Sequence, residues 1–146
     1  MDRKPKIALL YTTFPKPTET FLQREFRVFR NQPATFRPIS IYRGGDAFEG
    51  HPVERFPFIR LCELVFWIPY WAARKPRPFF RTARELLTRK CPSWLNAQET
   101  MLGLAYGLCR ASEFERARPD WMHAAWATMP ATAALLVHRF TGLPFS

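Results

Sequence analysis

Residues Lys6–Arg30 read KIALLYTTFPKPTETFLQREFRVFR, and this stretch decides the fold. The apolar run Ile7-Ala8-Leu9-Leu10-Tyr11 has the length of a buried strand. Pro15 and Pro17 then forbid the strand to continue. Thr18 or Thr20 is placed to cap a helix, and Gln23 stands three residues after Thr20, a capping-box spacing. Strand, tight turn and helix in this order open an α/β domain with a parallel sheet. Open α/β sheets bind ligands beyond the carboxyl ends of their strands, so the loop Thr12–Glu19 is the first place to expect a site.

On a helix, Phe21, Leu22, Phe26, Val28 and Phe29 share one arc, and Gln23, Arg24, Arg27 and Arg30 share the other. Glu25 falls inside the apolar arc. Burying an unpaired carboxylate is costly. Glu25 is therefore either paired with an arginine or a backbone amide, or turned into a cleft as a ligand contact.

Phe14-Pro15-Lys16-Pro17-Thr18-Glu19-Thr20-Phe21-Leu22, followed by Arg24-Glu25-Phe26, resembles the "FPxxSETFIxxEI" opening of family 4 glycosyltransferases. The subgroup it looks most like builds bacterial exopolysaccharides, colanic-acid-type enzymes among them. Asp120 to Thr128, then Pro130 to Leu136, then Thr141 to Ser146, is similar to that family's "D-h-h-H-A-H-F-A … P-A-x-x-A … G-h-P-F-S" segment. Residues 45–115 carry no matching motif. The chain departs from the pattern at Ala125, where the family has a second histidine, and at Trp126, where it has Phe.

The resemblance implies a GT-B architecture, two Rossmann-like domains facing each other across a cleft. It implies that residues 1–146 are the acceptor-side domain, an incomplete half, and that a donor-side domain holding the nucleotide-sugar follows elsewhere. Thr13, Glu19 and Thr20 in the first loop, with His123 and Thr128 in the last, are the expected acceptor contacts. Glu19 and His123 would bind hydroxyls or phosphate, and no residue of this chain is assigned to bond cleavage.

Composition narrows the classes. A chain of 146 residues with 47% apolar and 16% aromatic side chains builds a folded core and is not disordered. The net charge of +10 favours anionic partners: nucleic acid, anionic lipid or phosphorylated substrate. No helix-turn-helix, RNA-recognition or zinc-finger pattern is present, so nucleic acid is not expected. Cys62, Cys91 and Cys109 are odd in number and lack metal-ligand spacing, as expected of reduced, buried thiols in a cytosolic protein. There is no D-x-D and no His/Asp cluster, so no metal is demanded, and no cofactor is expected. Met1–Lys6 leads straight into the first strand without a secretory leader. No run of about 18 apolar residues exists to span a bilayer.

Further along, Phe36–Tyr42 reads as a second strand, entered after Asn31-Gln32-Pro33 ends the helix. Gly44-Gly45-Asp46 opens a loop, either an ordinary turn or a place for close phosphate approach. His51 sits in that loop, and Val53–Ile59 reads as a short third strand. Residues 60–118 are helical, basic and aromatic. Leu61–Ala73 is the most apolar segment, and Pro69 kinks or ends its helix. Two accounts fit Trp67, Trp71, Arg74, Lys75, Arg77, Arg81 and Arg84. They form an interfacial pair of helices on an anionic membrane, or an apolar core segment beside a solvated basic face. Ser93 or Asn96 caps a helix reaching Arg116, with Met101, Leu102, Ala105, Leu108 and Cys109 as its apolar face. Gly103 and Gly107 signal close helix packing. Trp121–Ala124 is a fourth strand, Thr128 caps a last helix that Gly142 stops, and Leu143–Ser146 starts another strand. His123, at a strand end, is either a satisfied core residue or a donor to a sugar hydroxyl or phosphate, and a doubly wound sheet would pair it with Glu19.

Together these readings give an expectation: an acceptor-binding, Rossmann-like domain of a glycosyltransferase in polysaccharide biosynthesis, using a lipid-linked or oligosaccharide acceptor. It is expected in the cytoplasm, peripheral on the inner face of the plasma membrane. The alternative is a non-catalytic basic α/β module that docks on an anionic membrane or polyanion.

Overall fold

The apolar run after Pro5 forms the central strand of the sheet. A computed structural model describes residues 3–146. Met1 and Asp2, the head of the N-terminus read above as leader-free, lie outside the described residues. The elements are β1 (Lys6–Tyr11), α1 (Thr20–Arg30), β2 (Thr35–Ser40), β3 (Ala47–Phe48), β4 (His51–Pro52) and β5 (Glu54–Arg55). A 3-10 turn (Phe58–Glu63) leads to α2 (Leu64–Arg74), α3 (Pro76–Thr88), α4 (Trp94–Ala117), β6 (Trp121–Ala124) and α5 (Met129–Thr141). Strands β5, β2, β1 and β6 lie side by side in that order, all pairings parallel. This is a Rossmann-like α/β fold.

Alternation along β1 divides the core in two. Ala8 and Leu10 join Ile39, Ile41 and Met122 beneath Tyr106 and Phe114 of α4 and Ala133, Val137 and Phe140 of α5. Leu9 and Tyr11 face the other way and pack with Phe14 and with Leu22 and Phe26 of α1. The chain leaves β1 toward β2 through α1, and leaves β6 in the opposite direction through α5. Right-handed crossovers in opposite directions put the two helices on opposite faces. Met122 bridges Phe145 in parallel, and Ala124 N–H donates to Ser146 O at 2.8 Å, so residues 144–146 begin a further strand beside β6.

The close helix packing expected at Gly103 and Gly107 is present, and the partner is α5. A Cβ on Gly103 would lie 2.4 Å from Met129 O, and one on Gly107 would lie 2.8 Å from Leu136 Cδ2. Gly142 ends α5 in the left-handed region at φ 78°, which only glycine adopts without strain. Ser93 caps α4, its Oγ accepting from Asn96 N at 3.2 Å.

Several expectations are corrected. Glu19, not Thr18 or Thr20, sits at the start of α1, with no side-chain cap. Gln23 donates to Lys16 O at 3.0 Å and so ties the loop, not the helix start. Val28 and Phe21 are exposed, because α1 turns Leu22, Phe26 and Phe29, with Glu25 beside them, toward the sheet and its loops. The third strand shrinks to Glu54–Arg55 because the 3-10 turn takes the chain from Phe58. Helix α2 continues through Pro69. On α4, Leu108 and Cys109 are buried as expected and Leu102 and Ala105 partly so, but Met101 is exposed, and the buried face also takes in Gly103, Tyr106, Gly107, Arg110 and Phe114. Of the cysteines only Cys109 is buried; all three are free.

The largest correction concerns Trp71. It is completely buried, stacked on Phe140 at 4.6 Å, with Nε1 donating to Leu108 O at 2.9 Å. It anchors α2 to α4 and α5 and is not a membrane-facing residue. Trp67 is half-buried, donating from Nε1 to Glu63 at 3.0 Å. Arg74 lies over the rings of Tyr70 and Trp71 and reaches Glu115 at 3.2 Å. Arg77, Arg81 and Arg84 are exposed, as expected, and Lys75 is partly covered. None of the helices among the described residues is long and apolar enough to cross a membrane.

Candidate functional site

The sheet reverses its winding at β1, with α1 on one face and α5 on the other. Between the carboxyl ends of β1 and β6 the two crossovers separate, and a crevice must open there. A cavity of about 310 Å³ occupies that position, lined by Thr12, Lys16, Glu19, Glu99, Trp126 and Thr128. Thr12, Lys16 and Glu19 come from the loop after β1, and Trp126 and Thr128 from the loop after β6. Glu99 reaches in from the first half of α4. A second cavity of about 330 Å³ shares Thr12 and Glu99 and continues along the apolar side chains of Tyr42, Leu95, Leu102 and Met129.

Glu19 is the best-defined group in the crevice. Its Oε1 accepts from Lys16 Nζ at 2.6 Å, while its Oε2 is buried with no hydrogen-bond partner. Such an oxygen has lost its water without a replacement, which costs roughly 1–3 kcal/mol unless a donor arrives. Thr128 begins α5 but its side chain caps nothing; its backbone oxygen accepts from Thr132. The Trp126 ring is 41% exposed and held edge-on by Phe21, centroids 5.6 Å apart.

The other expected residues fall elsewhere. Thr13 Oγ1 donates to Tyr42 O at 2.7 Å and holds the loop against the end of β2. Thr20 is exposed at the start of α1. His123 does not meet Glu19. Parallel register puts His123 beside Leu9, on the α1 face of the sheet. There His123 Nε2 lies 3.5 Å from Glu25 Oε1, Nδ1 lies 3.1 Å from Ser146 Oγ, and Phe29 packs edge-on at 5.6 Å. His123 lines a separate, mostly apolar cavity of about 410 Å³ with Ile7, Leu9, Phe29, Phe36 and Trp121. Glu25 thus finds a histidine partner across the sheet face, where an arginine or an amide was one expectation. Burial, and next the nearby Glu25 carboxylate, push the Tyr11 phenol up. Gly44, in the loop read as an ordinary turn or a place for close phosphate approach, packs against Phe14 O and Ser40 Oγ, and a Cβ there would lie 2.3 Å from Phe14 O.

Two sets of residues escaped sequence reading. Glu99 sits on a helix whose pattern gives no hint that its outer face closes a crevice. Arg37, Glu54, Arg110 and Glu113 join β2, β5 and α4 in one ion-pair network that no local spacing announces. In it Arg110 meets Glu113 at 2.9 Å, Arg37 meets Glu54 at 2.5 Å, and the contacts Arg110–Glu54 and Arg37–Glu113 complete the square. Among the described residues no group of three or more His, Cys, Asp or Glu side chains is gathered to hold a metal. Compared with known proteins, the chain matches no family model, no curated protein and no solved structure.

Proposed function

We propose that this chain is the acceptor-binding portion of a glycosyltransferase that moves a sugar from a nucleotide-sugar to a saccharide acceptor, lipid-linked in polysaccharide biosynthesis. One observation supports it above all: the crevice at the winding reversal gathers Glu19 and Thr128, from the two segments that resemble family 4 glycosyltransferases. The bare Glu19 oxygen suits a hydroxyl donor, which every sugar supplies. In this reading the nucleotide-sugar is held by residues outside this sequence, and the chain recognises the acceptor without cleaving a bond. Glu19 and Thr128 carry recognition, Thr13 shapes the loop, and His123 stands apart on the α1 face.

The test is binding of residues 1–146 to vesicles with and without a polyprenyl-diphosphate sugar. Binding that strengthens with the lipid-linked sugar, and loses that gain in Glu19→Ala, supports the reading. Binding indifferent to the sugar overturns it.

A second reading, docking on an anionic membrane, has its own observation. Val65, Phe66 and Ile68 of α2 and Phe80 and Leu87 of α3 are exposed, on helices that also expose Arg77, Arg81 and Arg84. Apolar wedges beside cations suit a lipid interface. Phe66→Ser with Phe80→Ser is expected to weaken binding to phosphatidylglycerol vesicles at least tenfold while leaving the thermal melt in place. Unchanged binding removes this surface from the account.

A further inference from the structure

The whole chain carries a charge of +10, yet the crevice at the winding reversal has the opposite sign. Its lining holds two carboxylates, Glu19 and Glu99, against one cation, Lys16, and that cation is already spent on Glu19 at 2.6 Å. Glu99 has no salt-bridge partner among the described residues. A carboxylate or phosphate entering this space would meet net negative charge in a partly desolvated site, where like charges repel more strongly than in water. The helix N-terminus at Thr128, worth about half a positive charge, is too weak a pole to outweigh the net negative charge left on Glu99. A phosphate in the Ala125–Thr128 turn, at the start of α5, would therefore stand against the local field.

The same walls suit a neutral sugar ring. Trp126 offers a large, half-exposed aromatic face held in place by Phe21. Sugars present an apolar face of C–H groups that packs on such a ring, and hydroxyls around their edge that donate hydrogen bonds. Carboxylate acceptors bind such donors more strongly than neutral acceptors do. The buried, unpartnered Glu19 Oε2 is one such acceptor already desolvated for the purpose. The Thr128 hydroxyl, which caps nothing, is both donor and acceptor.

We infer that the crevice is a subsite for an uncharged sugar, with its ring stacked on Trp126 and its hydroxyls donating to Glu19 and Glu99. This rests on the proposed acceptor function and names the substrate class. Trp126 sets affinity by stacking. Glu99 sets specificity, rejecting uronic acids and sugar phosphates at this position even though the rest of the surface attracts anions.

The experiment is saturation-transfer NMR on residues 1–146 with methyl glucopyranoside and the methyl glycoside of glucuronic acid as observed probes, and with inorganic phosphate, which has no proton to observe, titrated as a competitor of the neutral glycoside. The neutral glycoside is expected to show ring-proton contacts and at least tenfold tighter binding than the uronate. Trp126→Ala is expected to abolish that signal, Trp126→Phe to keep part of it, and Glu99→Gln to narrow the gap between neutral and acidic glycosides. Circular dichroism melts of each variant check the fold; Trp126 and Glu99 lie at the surface, so the melts should match. Uronate or phosphate binding as tight as the neutral glycoside overturns the inference, as does a signal unmoved by Trp126→Ala. If lipid-linked sugar still strengthens vesicle binding in Trp126→Ala and Glu99→Gln, the acceptor function stands and only this subsite falls. If no saccharide binds in either assay, both fall.

Discussion

Glu19 carries one paired and one bare carboxylate oxygen, and that asymmetry distinguishes it from an ordinary surface ion pair. Its salt bridge to Lys16 spans one turn of exposed loop and contributes little, of the order of 0–1 kcal/mol. The bare oxygen matters more, because its desolvation cost is recovered only when a donor arrives. At the same scale, Cys109 and Cys62 differ in reactivity. Burial, and next the Glu63 carboxylate, push the Cys109 thiol up to about 11, and its Sγ lies 3.5 Å from Arg60 O. The thiolate is the reactive species, so Cys109 is inert near neutral pH. Iodoacetamide at pH 8 is expected to label exposed Cys62 and to reach Cys109 only after urea unfolding. Labelling of folded Cys109 at the rate of Cys62 contradicts its burial.

At the scale of elements, two helix contacts hold the α4–α5 layer. Helix α2 is joined to it by Trp71, whose ring fills the core and whose indole N–H satisfies Leu108 O. Trp71→Ala is expected to cost about 3–5 kcal/mol in urea unfolding. It removes the anchor and bares a buried carbonyl. The exposed Phe66, on the same helix, is expected to cost under about 0.5 kcal/mol when changed to Ser. Equal effects would place the two side chains in the same environment. The crossing of α4 on α5 gives a second contrast. At Gly103 an added methyl meets the Met129 carbonyl oxygen, part of a rigid backbone, whereas at Gly107 it meets first a terminal methyl of Leu136. Gly103→Ala is expected to destabilise by about 1–3 kcal/mol, through overpacking that outweighs the gain in helix propensity. Gly107→Ala is expected to cost less than half as much, and the reverse order would mean the helices cross elsewhere.

At the scale of the molecule, the sheet is tied to α4 by the Arg37–Glu54–Arg110–Glu113 network. The Arg110 side chain is 9% exposed. Removing it as Arg110→Ala leaves Glu54 and Glu113 sharing Arg37 alone and is expected to cost about 1–3 kcal/mol, read as a lower urea midpoint. Burial raises the Glu113 carboxyl, but hydrogen bonds and charge from Arg37 and Arg110 overcome it and hold the group below the usual carboxylate range. The folded state therefore binds the Glu113 proton less readily than the unfolded chain. Its contribution is complete at neutral pH and is lost as pH falls below the usual carboxylate range, through the lowered folded value. The stability gap between the native chain and Glu113→Gln is expected to be constant from pH 7 to about pH 5 and to close in acid. A gap that widens on acidification would reverse the sign of the coupling.

The sequence by itself determined the local pieces. An apolar run placed β1, the break at Pro119-Asp120 placed β6, Asn31 and Pro33 ended α1, Ser93 or Asn96 marked the start of α4, and Gly142 stopped α5. The parallel α/β class followed, because strand–turn–helix order at both ends is that of βα units in a parallel sheet. It also marked Gly103 and Gly107, since a glycine pair at helical spacing signals close approach whatever the partner. Only the tertiary structure decided what the aromatic segment does. Trp71 and Val65 sit in the same helix and look alike in the chain, yet α5 stands over one and nothing stands over the other. Only the tertiary structure separated His123 from Glu19, because strand parity sends His123 to the α1 face while the loop carries Glu19 to the sheet edge. And it alone brought Glu99 to the crevice and Arg37 to Glu113, pairs formed by a long helix crossing the sheet. Periodicity and spacing report neighbours along one element. Charges that meet between elements are set by how those elements cross.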